Sequence, residues 1–166
     1  MPLVSVIIPA YNSEDTVLAT VESVLNQKFR DLELIVIDDG ATDGTVAALS
    51  EVTDPRMTIY SFENGGLPTA RNRGIEKASG DFLSFIDADD LWTPDKLEKQ
   101  LKALEEKPTA GGAYSWTLIM DAAGENFYPG NCEAFEGDVY PQLLLSNFIG
   151  SGSNMLIRRE AIASVG

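Results

Sequence analysis

Apolar and polar positions along this chain follow two rhythms, and the switches between them divide it into units. Leu3 to Pro9 (L-V-S-V-I-I-P) is β-branched and nearly continuous, which predicts a strand buried on both faces. Pro9 ends it and Tyr11-Asn12 open a loop. Ser13 is a favoured N-cap, with Glu14 and Asp15 in the first turn, where acids suit the helix dipole. Val17, Val21, Val24 and Leu25 then fall at helical spacing to about Lys28. Leu32 to Ile37 reads as a second strand that ends in Asp38-Asp39-Gly40. Thr42 and Asp43 cap a short helix through about Val52, and Met57 to Phe62 is a third strand. Asn64-Gly65-Gly66 is a turn, and Pro68 sits where a helix N1 proline belongs. The helix it starts carries Ala70 to Ile75, with Gly80 as its C′ residue.

Gly80 to Trp92 (G-D-F-L-S-F-I-D-A-D-D-L-W) organises the rest. Phe82, Leu83, Phe85 and Ile86 predict another buried strand, which stops at Asp87, Asp89 and Asp90. Thr93-Pro94 opens a helix with an apolar stripe of Leu97, Leu101 and Leu104. After Lys107 the rhythm changes. Ala113 to Met120 is strand-like, Asp121-Ala122-Ala123-Gly124 is a turn, and Val139 to Asn147 is helical. Ser153 to Ile157 is one more strand, and Arg158 to Ala163 begins a helix. The expected fold is α/β: a mostly parallel central sheet flanked by helices, in one continuous domain with a regular part, 1–107, and a second part, 108–166.

Composition narrows the chemistry. The chain of 166 residues is long enough for a real core, and 44% hydrophobic with 23% charged residues is ordinary for a globular protein. A net charge of −14 argues against nucleic acid or an anionic membrane surface as partner. With no histidine, the usual general base and the commonest zinc ligand are missing. Cys132 is the single cysteine, so no intrachain disulfide forms. Met1-Pro2-Leu3 leads directly into a strand with no basic n-region, so no signal peptide is expected, and no apolar stretch reaches the length of a membrane helix. The expected location is cytoplasmic, with membrane-peripheral attachment of the full-length protein left open.

Four features fall at strand C-termini or in the loops that follow: Pro9 to Asn12, Asp38-Asp39-Gly40, Asn64 to Asn72, and Asp87-Ala88-Asp89. In open α/β sheets, ligands bind there. Taken singly, Asp38 and Asp39 could cap a helix, Tyr11 could be a loop aromatic, and Arg71 and Arg73 could be solvated. Acids at i and i+2 leaving a buried strand are harder to dismiss, because burial penalises them unless a cation or donors hold them. Together the four suit an aromatic that stacks a base, a carboxylate for base or ribose, an arginine for phosphate and a metal that positions a diphosphate. No G-x-x-x-x-G-K-[ST] or G-x-G-x-x-G is present, which weakens P-loop and dinucleotide readings. A phosphoacceptor module would want acids after the first strand. A D-x-D-x-T phosphatase would want threonine at position 91, but Leu91 and then Trp92 stand there and Thr93 comes too late.

V-S-V-I-I-P-A-Y-N (Val4–Asn12), D-D-G-A-T-D (Asp38–Asp43), N-G-G-L-P-T-A-R-N (Asn64–Asn72) and D-A-D-D-L-W (Asp87–Trp92) resemble family 2 glycosyltransferases in residues, order and spacing. The resemblance implies a GT-A fold, Rossmann-like, with 1–107 as the nucleotide-sugar-binding half and 108–166 as the start of an incomplete acceptor-binding half. It implies that Pro9, Tyr11 and Asp39 hold the base, with Asp38 beside them. Arg71 lies near nucleotide or phosphate, Asp87 near ribose or metal, and Asp89 is the principal ligand of Mn²⁺ or Mg²⁺. Asp90 caps the turn or supports it from behind. The implied reaction is inverting transfer from a UDP-sugar or similar donor to a glycan or glycolipid acceptor, in polysaccharide synthesis.

Two departures matter. Ala41 stands where the family has serine. The family's acidic general base lies downstream of a segment like Val165-Gly166, so the chain is expected to be a C-terminally truncated fragment without its base. Asp121, Glu125, Glu133, Glu136 and Asp138 match no such motif. The alternative is a non-catalytic nucleotide- and metal-binding fragment that self-associates as a homo-oligomer through apolar surface around Met155, Leu156 and Ile157.

Overall fold

The computed structural model describes residues 3–121, 124–125 and 127–165. Met1, Pro2, Gly166 and the Ala122-Ala123 part of the expected turn lie outside them. The regular part is a β-α alternation: β1 (Val4–Ala10), α1 (Val17–Leu25), β2 (Leu32–Asp38), α2 (Thr45–Ser50), β3 (Met57–Ser61), α3 (Leu67–Lys77), β4 (Phe82–Phe85) and α4 (Lys96–Glu106). Strands β5 (Gly112–Ala113), β6 (Leu118–Met120) and β7 (Phe127–Pro129) follow. Helix α5 (Tyr140–Leu145), β8 (Leu156–Arg158) and α6 (Arg159–Ala163) close the described chain.

Six strands form one sheet in the order β3-β2-β1-β4-β8-β5. The first four are parallel, and β8 runs antiparallel to both β4 and β5. Every residue of β1 is buried, because helices cover both faces of the sheet. Val4, Val6, Ile8 and Ala10 pack with Val17, Val21 and Val24 of α1, Leu49 of α2 and the α4 stripe of Leu97, Leu101 and Leu104. Ile7, from the other face, packs with Ile35, Ile37, Leu83 and Ala70 of α3. The continuous apolar runs of β1 and β2 therefore mark two-sided burial, as their composition predicts.

Several boundaries differ from the sequence reading for local reasons. Helix α1 starts at Val17, and Ser13 contributes its carbonyl to the N–H groups of Thr16 and Val17. Pro68 is the second residue of α3, after Leu67. Gly80 is not a left-handed C′ residue: α3 ends at Lys77 with Ala78 extended. Gly80 instead lies against β1, where a Cβ would meet the Ser5 nitrogen at 2.8 Å, so close approach explains the glycine. Helix α4 begins at Lys96. The strand expected over 113–120 is split. Its start joins the main sheet as β5, and its end pairs with β7 as a separate hairpin. The strand expected at 153–157 forms at Leu156–Arg158, inside the sheet between β4 and β5. Leu156 is consequently fully buried, and Met155 and Ile157 are half-buried. Exposed apolar side chains lie elsewhere, among them Trp116, Leu118, Ile119, Phe127, Tyr128 and Leu145. Among the described residues no helix is long and apolar enough to cross a membrane.

Candidate nucleotide and metal site

The strand order places the site. From β1 the chain moves outward through β2 and β3, then crosses the opposite face by α3 to lay β4 on the other side of β1. The loops leaving β1 and β4 therefore diverge at the C-terminal edge of the sheet, which is where a crevice opens in folds of this kind. A cavity of about 630 Å³ lies there, lined by Pro9, Tyr11 to Thr16, Asp43, Leu67 and Asp87 to Asp89. Pro9 and Tyr11 come from the end of β1, and Asp87 and Asp89 from the end of β4, so the first and last sequence motifs meet. Pro9 is buried, while the Tyr11 ring is 52% exposed and can offer a face to a ligand.

Asp87 is fixed from two sides. Its Oδ1 accepts from Arg71 Nη2 at 2.6 Å, and its backbone N–H donates to Ser153 Oγ at 2.8 Å. Arg71 Nε is buried without a hydrogen-bond partner among the described residues. Asp89 is exposed and makes no hydrogen bond or ion pair among them. Asp90 accepts from Ser151 Oγ and Ser153 Oγ, which ties the 151–153 segment to the loop after β4.

Asp38 and Asp39 lie deeper and outside the cavity lining. Asp38 Oδ1 accepts from Ala41 N at 2.8 Å and closes the turn after β2. Asp39 is 3% exposed; it accepts from Gly65 N, Gly66 N and Arg73 Nη1. These bonds occupy most of the roughly four acceptor positions of a carboxylate. Thus Asp39 organises the Asn64 loop, and Arg73 is a pairing residue with its guanidinium over the Phe62 ring at 4.5 Å. Gly40 takes φ +77, and a Cβ there would meet Asn64 N at 2.8 Å, so this glycine lets the two loops touch.

A second cavity of about 840 Å³ shares Asp89 with the first. Asp90 to Thr93, Lys96, Ser115 to Met120, Gly150 and Asn154 contribute to its wall. Lys96 is buried, with no carboxylate partner among the described residues, and burial pulls its ammonium down to about 7. Lys96 and Ser153 are positions the sequence reading gave no role; Arg73 it weighed as a residue that could be solvated, and Trp92 only as the end of the last motif. For Lys96 a signal was there: with Gln100 it lies at i, i+4 beside the Leu97-Leu101-Leu104 stripe.

The donor set suits a hard divalent cation. Asp87 and Asp89 are two carboxylates that line the same cavity. No group of three or more acids or cysteines capable of holding a metal occurs among the described residues. Two carboxylates completed by ligand phosphates is how Mg²⁺-type sites are commonly built.

The family model for glycosyl transferase family 2 matches residues 5–166. The chain belongs to that family. TuaG of Bacillus subtilis, provisionally named a teichuronic acid biosynthesis glycosyltransferase, is 44% identical over 121 residues, covering 71% of this chain and 48% of TuaG. The Escherichia coli enzyme WfgD, named a UDP-Glc:alpha-D-GlcNAc-diphosphoundecaprenol beta-1,3-glucosyltransferase, is 41% identical over 103 residues, covering 61% of this chain and 41% of WfgD. Among solved structures, the Pyrobaculum calidifontis mannosyltransferase PcManGT in complex with GDP-Man and Mn²⁺ superposes with a TM-score of 0.74 at 25% identity, over 99% of this chain and 47% of that one. The chain thus spans about half the length, or less, of these proteins. The superposition establishes the GT-A fold.

Proposed function

We propose that this chain forms the donor site of a metal-dependent, inverting glycosyltransferase that takes a sugar from a nucleotide-diphosphate sugar, a UDP-sugar in our reading, to a glycan or glycolipid acceptor. One observation carries it: Asp89, with no hydrogen bond or ion pair among the described residues, lines one cavity together with Asp87, Pro9 and Tyr11. Family membership and the nucleotide-sugar names of the relatives support the same reading.

In this reading Tyr11 stacks the base over Pro9. Asp39, already held by three donors, keeps the Asn64 loop at the base end, with Asp38 holding the adjoining turn. Arg71 keeps Asp87 in place and turns the rest of its guanidinium to phosphate. Asp89, with Asp87, would hold Mn²⁺ or Mg²⁺, which supplies charge neutralisation for a diphosphate leaving group when bound. The acceptor would lie in the second cavity, where Asp89 is common to both. Residues 1–107 then act as donor half and 108–166 as the beginning of the acceptor half, working in the cytoplasm.

Asp121, Glu125, Glu133, Glu136 and Asp138 line neither cavity, and the general base is assigned to none of them. That observation favours a second reading for residues 1–166 taken alone: nucleotide and metal binding without transfer. A thermal-shift screen of UDP, GDP and dTDP, each with Mn²⁺ and with EDTA, tests the site. The proposal expects a metal-dependent rise in Tm, largest with UDP. No rise with any nucleotide would refute it. Sugar transfer by residues 1–166 would rule out the second reading.

A further inference from the structure

Lys96 is an odd occupant of its place. It opens α4 and is 7% exposed, in a protein whose other ammonium groups have water or acids within reach. Its Nζ lies 3.8 Å from the centre of the Trp92 ring, donates to Gln100 Oε1 at 3.0 Å, and reaches Ser84 Oγ at 3.4 Å. Each of those three neighbours donates to a backbone carbonyl of one short segment. Trp92 Nε1 binds Ser153 O at 2.8 Å, Gln100 Nε2 binds Asn154 O at 2.7 Å, and Ser84 Oγ binds Met155 O at 2.6 Å. Three consecutive carbonyls are thus held by three partners of a single ammonium.

That segment touches both members of the Arg71–Asp87 pair. Ser153 Oγ accepts the Asp87 N–H. Gly152 leaves so little room that a Cβ there would meet Arg71 Nη2 at 2.4 Å. Because Lys96 occupies the Gln100 carbonyl oxygen, the Gln100 amide turns both hydrogens outward, to Asn154 O and to Ser115 Oγ at 2.9 Å. We propose that Lys96 is a positioning residue for the diphosphate end of the site: it orients Trp92, Gln100 and Ser84, and through them seats residues 152–155 against Arg71 and Asp87. The importance of that seat rests on the donor-site reading above; the seat itself does not.

Burial among Trp92, Gln100 and Ser84 lowers the Lys96 ammonium to about 7. The groups facing it from β4 and from 153–155 do not titrate. Those sharing its cavity wall are Asp89 and Asp90, and Asp90 is held by Ser151 and Ser153. On its own helix Asp95 pairs with Lys99.

The test is amide exchange by ¹⁵N NMR on the whole chain, wild type against Lys96→Met, with Mn²⁺–UDP calorimetry on both. The expected result is an Asp87 amide that exchanges about tenfold faster in the variant, as loss of one hydrogen bond allows, while central β1 amides are unchanged. The Trp92 indole N–H should titrate near 7 in wild type and not in the variant. Gln100→Leu, which cuts only the middle link, should move the Asp87 amide in the same direction, and decides the matter if Lys96→Met does not fold. An Asp87 amide that exchanges as in wild type in both folded variants overturns the proposal. Weaker Mn²⁺–UDP binding in Lys96→Met extends the seat to ligand binding. Absence of binding by wild type counts against the donor site, and the exchange result still decides the positioning role.

Discussion

Gly74 lies in the middle of α3, where replacement by alanine should ordinarily help. Alanine is better than glycine in a helix interior by about 1 kcal/mol. Here the opposite is expected. A Cβ at Gly74 would lie 2.3 Å from Ile7 Cγ2, 3.2 Å from Cγ1 and 3.3 Å from Cβ. Ile7 is fully buried on β1, which is hydrogen-bonded to a strand on each side, so it cannot retreat. Ordinary contact needs more than an ångström of extra separation, and overpacking of a close-packed core costs about 1–3 kcal/mol. The cost exceeds the propensity gain, so Gly74→Ala should destabilise by about 1 kcal/mol, within a range set by those two terms. Ile7→Ala alone should cost about 2–5 kcal/mol, and in the double variant the new methyl fills part of the hole, giving a coupling of about 1–3 kcal/mol. Urea unfolding of the four proteins measures all of these. A stabilised Gly74→Ala with no coupling to Ile7→Ala would refute the account of how α3, which carries Arg71 and Arg73, sits on the sheet.

Other outcomes follow from the same contacts. Arg73→Ala removes the cation that pairs with Asp39, itself 3% exposed, and should destabilise by about 1–3 kcal/mol in urea unfolding, whereas a neutral result would make the pair a surface contact. Glu33 bears on acid stability. Burial pushes its carboxyl up, but hydrogen bonds from Ser5 and Ser79 outweigh that and hold it below its ordinary 4.5. Its contribution is therefore present above 4.5 and lost as pH falls through the lower folded value. Stability of wild type should fall more steeply than that of Glu33→Gln below pH 4.5; parallel acid profiles would contradict the assignment.

The sheet was legible because its strands are buried on both faces and its helices on one. Val4 to Pro9 and Leu32 to Ile37 had no other way to be satisfied, and the Leu97 stripe could face only inward. The second part was harder to read. Gly112 and Ala113 look like the start of the Leu118 strand, and nothing local says that the chain leaves the sheet at Tyr114. That departure is set by Asn154, whose side chain binds Ser115 N and Ser115 O from far along the sequence. The same long-range pairing explains why Leu156 was expected bare and is covered: β8 inserts beside β4. In the site, the D-x-D pair and Tyr11 announce themselves through residue type and place. Arg73 and Lys96 do not, because a cation on a helix reads as solvated until its partners, Asp39 in one case and Trp92, Gln100 and Ser84 in the other, are brought beside it by the fold.

Asp89 is the residue on which the functional account turns. Calorimetric titration of UDP into the chain, with Mn²⁺ and with EDTA, and repeated on Asp89→Ala, tests it most directly. The account predicts binding with Mn²⁺ that EDTA abolishes and Asp89→Ala removes, while the variant keeps its Tm because Asp89 is exposed and makes no hydrogen bond or ion pair among the described residues. UDP binding that persists unchanged in EDTA or in Asp89→Ala would contradict it.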